Sequence, residues 1–365
     1  MKSYSIPDLM SGVVLVGHGG PEMLEYRQDL PVPLPAAGEV LIRVGASAVN
    51  NTDINTRIGW YSKSIRDATN RGSEIGFESL NHGDASWSGS PLSFPRIQGA
   101  DCCGTVIATG DGVDHQLIDQ RVLVRPMYSP TVDALPYELE TFGSECDGGF
   151  AEYTVAPVHE VFPVKSTLTD EELASFPCAY STAEGMLERA GLKAGERVLI
   201  TGASGGVGSA AIQLAKRRGA EVVAICSEHK SQVVKELGAD QVIGRDAPLL
   251  EHLPTESVQV VVDLVGGDSW SELLEVLVRG GRYVVSGAIA GPLVELDLRT
   301  LYLKDLSLLG STWQPRQVFD NLIRYIEQGE ISPQVAQVYP LHELQQAQRD
   351  FIRKEKAGKR VIRIG

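Results

Sequence analysis

The chain is short of cysteine, aromatic side chains and positive charge, and it has no long apolar run. Its five cysteines in 365 residues include the adjacent Cys102 and Cys103 but no Cys-x-x-Cys pair, so they frame neither a disulfide scaffold nor a four-thiolate zinc lobe. They are expected to be reduced thiols, several buried as small apolar side chains. Lysine and arginine total 33 against 47 acidic residues, giving a formal charge of −14. That balance argues against a nucleic-acid partner or an anionic membrane surface, so an anionic ligand must be held by locally placed cations and backbone amides. Apolar runs such as VLVRP and VVVDLVGG are brief and broken by charge or glycine, which argues against a membrane span. The polar start MKSYSIPDLMSG lacks the apolar core of a secretory signal, and a cytoplasmic location is expected.

With 43% hydrophobic residues, the chain can fill two cores at the usual ~150 residues per domain. The first half alternates short apolar runs with Gly and Pro turns (SGVVLVGHG, EVLIRVGASAV, GADCCGTVIATGDGV, QRVLVRP, GGFAEYTVAP), the pattern of a mostly antiparallel β domain. Between Ile58 and Pro95 lies a polar stretch expected to be a long loop with one short helix, of the kind that often serves as a lid. From about Ser166 the period changes. Strands of Val, Leu and Ile then alternate with amphipathic helices, which predicts an α/β unit with a doubly wound parallel sheet covered on both faces.

The stretch GERVLITGASGGVGSAAIQLAKRRGAEVVAICS, residues 195–227, reads as strand, Gly-rich turn, helix and second strand. Ala203, Gly205 and Gly208 occupy the three small positions of a dinucleotide fingerprint, with Ser204, Gly206 and Val207 completing the turn into the helix. An alternative is that the glycines only let the helix pack close to the sheet. An NAD-selective site would end the second strand in Asp or Glu, whereas this one ends in Cys226-Ser227. Ser227, Lys230 and Arg245 suit a 2′-phosphate, so NADPH is the expected cofactor. Glu228 would partly oppose that phosphate, and Lys230 and Arg245 could instead be ordinary solvated charges.

Residues 50–61 read NNTDINTRIGWY. Thr52 or Asp53 could cap a short helix there. Taken with VLITGASGGVGSAAIQLAK, GGFAEYTVAP, VDLVGG, LKDLSLLGST and GKRVIRIG in that order, the whole chain resembles the medium-chain dehydrogenase/reductase superfamily. The resemblance implies a GroES-like substrate and catalytic domain (residues 1–166 and 312–365) wrapped on a Rossmann dinucleotide-binding domain (167–311), paired into homodimers. Zinc alcohol dehydrogenases of the superfamily would place metal ligands where this chain has Asn50, Ala100 and Cys178. Only Cys178 could ligate, so no bound metal is expected.

The segment is instead similar to the Asn-x-x-Asp-Ile-Asn…Gly-x-Tyr stretch of zinc-free enoyl-thioester reductases and quinone oxidoreductases. This implies that Tyr61 is the hydrogen-bond or proton donor, that Asn50 lines the nicotinamide pocket, and that Asp53 orients the loop. Trp313 is expected as a pocket wall or a core residue, and Lys63, Arg66 and Arg71 could form a basic mouth. The expected function is NADPH-dependent, metal-free hydride transfer to an activated double bond of a small molecule. The alternatives are a zinc-dependent alcohol or polyol dehydrogenase and a non-catalytic NADPH-binding redox sensor or structural protein.

Overall fold

The computed structural model describes residues 5–129, 131, 135 and 137–365. The strand–helix rhythm of the second half folds into one parallel six-stranded sheet, in the order Gln241–Gly244, Glu221–Cys226, Arg197–Ile200, Val258–Asp263, Leu277–Val285, Ser307–Gly310. Alternation sorts the side chains. Val198 and Ile200 pack with Val222 and Ala224 beneath the helices Pro177–Arg189 and Gly206–Arg217. Leu199, Val223 and Val261 face the other way, onto Trp270 and Leu273. Both faces are covered, which is why these strands read as nearly continuous Val, Leu and Ile. The strand order reverses between Arg197–Ile200 and Val258–Asp263, where a doubly wound sheet opens a ligand crevice at its carboxyl ends.

A seven-stranded sheet forms the main scaffold of the first half of the chain and takes in its last strand. It is antiparallel at every pairing except that of Val335–Pro340 with Lys359–Arg363. Its spine is Glu39–Ala48, whose first half pairs with Tyr153–Pro157, while Ala46, Ser47 and Ala48 pair with Arg363, Ile362 and Val361. Register slips against Cys103–Thr109, at Leu41/Ile42 and Val44/Ala46, bend this spine so that it serves several neighbours. Val49 N–H then donates to the Arg360 carbonyl at 2.9 Å, bringing the last strand to the start of the helix Asn51–Ile58.

Two local expectations change. The polar stretch after Ile58 forms no α-helix among the described residues, only the 3-10 turns Thr69–Arg71 and His82–Asp84, because its Ser and Asn side chains satisfy backbone groups locally. It is nonetheless anchored. The buried Arg57 guanidinium donates to Gly19 O (2.7 Å), Ser73 O (2.9 Å) and Gln348 Oε1 (2.8 Å), and Thr69 N–H reaches Ile289 O across the crevice at 3.2 Å. The helical run after Ser166 is broken into Asp170–Leu173 and Pro177–Arg189, with Pro177 at the start of the second helix where its missing N–H costs nothing. All five cysteines are free, four of them buried, and no helix among the described residues is long and apolar enough to cross a membrane. The first four residues of the polar start lie outside the described residues.

Candidate active site

The crevice at the strand reversal is a cavity of about 1010 Å³. Its floor is the turn after Arg197–Ile200. Gly202 there has φ +58°, a left-handed conformation that glycine adopts without a Cβ penalty. Thr201 is fixed beside it by donating to the buried Asp263 Oδ1 at 2.6 Å and accepting from Leu264 N–H at 2.9 Å. Ser204, Gly205 and Gly206 line the cavity. The helix Gly206–Arg217 begins there with no side-chain cap, so its first amides and the positive end of its dipole are available to an anion such as a pyrophosphate.

The other three predicted loop residues shape the turn from behind. Ala203 is buried in the core and Val207 packs against it. A Cβ on Gly208 would lie 2.4 Å from Gly202 O and 2.6 Å from Ala203 Cα, so this glycine is required for helix and turn to approach.

Ser227, Lys230 and Arg245 line the same cavity. Lys230 is only 6% exposed and donates to the Lys354 carbonyl. Burial first, then repulsion from Arg360 and Arg245, holds its pKa below the ordinary lysine value. Arg245 makes an exposed 3.5 Å pair with its neighbour Asp246. Glu228 lies outside the lining. From the other domain, Arg353, Lys354, Lys356 and Arg360 face the cavity as well. Sequence reasoning passed over these four, although RKEKAGKR is a dense basic stretch in an acidic chain.

Asn50 and Tyr61 do not line this cavity. Asn50 is the N-cap of Asn51–Ile58, and its N–H donates to Asp53 Oδ2 at 2.7 Å. Its amide group donates to Asp101 Oδ2 (2.8 Å) and Ala48 O (3.1 Å), and its Oδ1 accepts from Lys359 Nζ. Both amide hydrogens are thus used inside the protein. Asn50 holds the site together and has no donor left for a nicotinamide. Asp53 also accepts from Gly99 and Ala100 N–H, and burial pushes its carboxyl up to about 7 against those donors.

The Tyr61 hydroxyl donates to Thr52 Oγ1 at 3.1 Å, which also accepts from Trp87 Nε1 at 2.6 Å. The Trp87 ring lies 4.7 Å from that of Tyr61. Burial raises the Tyr61 pKa, so its proton stays on at neutral pH. Thr52 is therefore no cap. With two bonds accepted, its own hydroxyl hydrogen remains to be donated. Trp313 stands apart, 5.2 Å from the Tyr137 ring in a second cavity that Trp87 also lines. Arg71 lines the large cavity, whereas Lys63 and Arg66 do not.

The model of the alcohol dehydrogenase GroES-like domain matches residues 74–166, and that of the zinc-binding dehydrogenases matches residues 206–328. A candidate alcohol dehydrogenase of Sinorhizobium meliloti, of known structure, is 44% identical over 99% of this chain and 98% of its own, with a TM-score of 0.88. The chain belongs to the medium-chain dehydrogenase/reductase superfamily. Within the superfamily it is similar to the quinone oxidoreductase of Mus musculus (29% identical over 97% of this chain and 98% of the relative). It is equally similar to the acryloyl-coenzyme A reductase of Metallosphaera sedula (29% identical, 96% and 98%). This member of the superfamily is thus an oxidoreductase with a nicotinamide cofactor, and the uncapped helix over a large crevice fits such a group.

Among the described residues, the zinc that names one of the family models finds no ligand set: no group of three His, Cys, Asp or Glu side chains there could hold a metal ion. Ala100 offers no donor. The Cys178 thiol is buried, and burial, followed by the negative charge of Asp101, raises its pKa and keeps it from becoming a thiolate. Asp101 is itself occupied, accepting Cys178 N–H at 2.7 Å on one oxygen and Asn50 and Lys359 on the other.

Proposed function

We propose that this protein is an NADPH-dependent reductase that delivers hydride to an activated carbon–carbon double bond, in an enone, quinone or enoyl thioester, without a metal. The observation that carries the cofactor choice is the buried Lys230, which donates to the Lys354 carbonyl and shares one cavity with Arg245, Lys354 and Arg360. Burying an ammonium among like charges is unfavourable by itself, and a 2′-phosphate would offset that cost.

Bound NADPH would supply the hydride. Its arrival at the β-carbon leaves negative charge on the acceptor's carbonyl oxygen, which needs a donor already in place. Thr52 and Tyr61 form such a pair: Tyr61 gives its hydrogen to Thr52, and Thr52 has its own left to give. Trp87 fixes the Thr52 oxygen through its Nε1 and packs its ring against that of Tyr61. Neutral hydroxyls suffice for an enolate, whereas oxidising an alcohol calls for a stronger means of generating the alkoxide.

A second copy of the chain is the proposed partner. The edge strand Ser307–Gly310 exposes Leu308, and the helix Leu298–Leu303 just before it exposes Leu298, Tyr302 and Leu303; a homodimer would cover them. The test of function is spectrophotometric. NADPH oxidation by a simple enone should yield one saturated ketone per NADPH, and fluorescence titration should show NADPH bound more than about tenfold tighter than NADH. Equal affinities, or no oxidation with any enone or quinone, would overturn the proposal.

A further inference from the structure

Lys359 lies 309 residues from Asn50 in sequence, yet its ammonium is bonded to Asn50 Oδ1 and, at 2.8 Å, to Asp101 Oδ2. The pair is closed to water, Lys359 being 3% and Asp101 0% exposed. Two features make this more than a buried ion pair. Asn50 caps the helix on which Thr52 sits, so the ammonium fixes the start of the element that carries the proposed proton donor. On its other side the lysine stem lies against the cofactor loop, since a Cβ on Gly206 would be 3.1 Å from Lys359 Cδ. Lys359 therefore spans from the start of the helix Gly206–Arg217, at the glycine turn, to the start of the helix Asn51–Ile58.

We propose that Lys359 is the resident cation of this active site and a positioning residue for hydride transfer. Where zinc-binding relatives would use a metal ion, this chain has a fixed ammonium that neutralises Asp101 and sets Asn50, and through it Thr52, relative to the cofactor loop. The disagreement between the zinc-binding family model and the donors present follows. A divalent cation beside a buried ammonium would meet repulsion as well as the lack of ligands. The positioning role rests on the reductase reading above, whereas the exclusion of metal does not.

The test uses the full-length protein in three forms: wild type, Lys359→Met, which keeps the length of the stem but not the charge, and Lys359→Met with Asp101→Asn. Loss of the ammonium alone strands a buried carboxylate, so the single variant should melt lower. The double variant should recover most of that loss. Enone turnover should nevertheless stay down about 100-fold in both variants, with NADPH affinity within about threefold of wild type. Wild type dialysed against zinc should retain well under one zinc per chain, by elemental analysis. Wild-type turnover in the single variant, or full recovery of turnover in the double, would reduce Lys359 to a counter-charge for Asp101 and overturn the positioning role. Stoichiometric zinc in wild type would overturn the resident-cation assignment whatever the activity. A wild type that reduces no acceptor would remove the reductase reading while leaving the zinc and melting results to judge Lys359.

Discussion

The nucleotide crevice and the proposed acceptor side of this active site are built in opposite ways. The floor of the crevice comes from one run of residues, in which one turn, one helix start and the end of the next strand bring Gly202, Ser204, Gly205, Gly206 and Ser227 together within a single supersecondary unit, while Arg71, Arg353, Lys354 and Arg360 join its lining from elsewhere in the chain. The acceptor side is assembled from residues 50–61, 87, 101, 178 and 359, which only the bent spine Glu39–Ala48 and the closing strand make neighbours. The first works largely through backbone and should tolerate few substitutions at its glycines. The second works through side-chain hydrogen bonds, and its parts should be separable one by one.

The largest effect should come from breaking the crevice. In Gly208→Val the side chain would be driven into Gly202 O and Ala203, so the turn cannot keep its shape. Titration should show NADPH affinity reduced by more than about 100-fold, together with a lower melting temperature.

On the proposed acceptor side, Tyr61→Phe should lower turnover by roughly 10² to 10³ while NADPH affinity stays near wild type, because the hydroxyl that donates to Thr52 is lost and the ring remains. Thr52→Ala should lower turnover by a comparable factor, which sharpens the contrast between a relay and a helix cap. If Thr52→Ala turns over normally while Tyr61→Phe does not, Tyr61 acts on the acceptor directly.

That distinction was not legible in the sequence. The polar run NNTDINTRIGWY supplies several plausible caps, and nothing local says that Asn50 takes the cap while Thr52 collects Tyr61 and Trp87. Trp87 lies in a stretch without periodicity, and Lys359 opens a strand whose partner in space is set by sheet pairing rather than by spacing. The crevice was legible because its geometry is local. The strand Arg197–Ile200, the helix Gly206–Arg217 and the strand Glu221–Cys226 follow from alternation, a glycine turn and helical spacing in one run of residues. Even there, the contribution of Lys354 from the opposite domain escaped, because a Lys at a helix end reads as solvated.

A smaller effect tests the cation cluster at the far end of the crevice. Lys230→Ala should narrow the preference for NADPH over NADH by about tenfold, with NADH affinity unchanged. Weaker binding of both cofactors to the same degree would assign Lys230 to domain contact through Lys354 instead.

The smallest effect concerns Asp53. Its carboxyl titrates near the ordinary 3.8 when unfolded and at about 7 when folded. The folded state thus binds the proton more tightly, and this stabilisation is complete below about pH 4 and lost as pH rises to 7. Between those values the melting temperature of wild type should fall more steeply than that of Asp53→Asn. Parallel curves would mean that the N–H groups of Asn50, Gly99 and Ala100 keep the carboxylate ionised.

Metal-free hydride transfer from NADPH to an activated double bond can be watched in a single-turnover experiment. Chelator-treated protein with bound NADPH is mixed rapidly with a simple enone, and the decay of NADPH absorbance is followed alongside the zinc content of the same sample. The account predicts full decay at the rate of untreated protein with well under one zinc per chain. Decay that vanishes on chelation and returns with added zinc would contradict it.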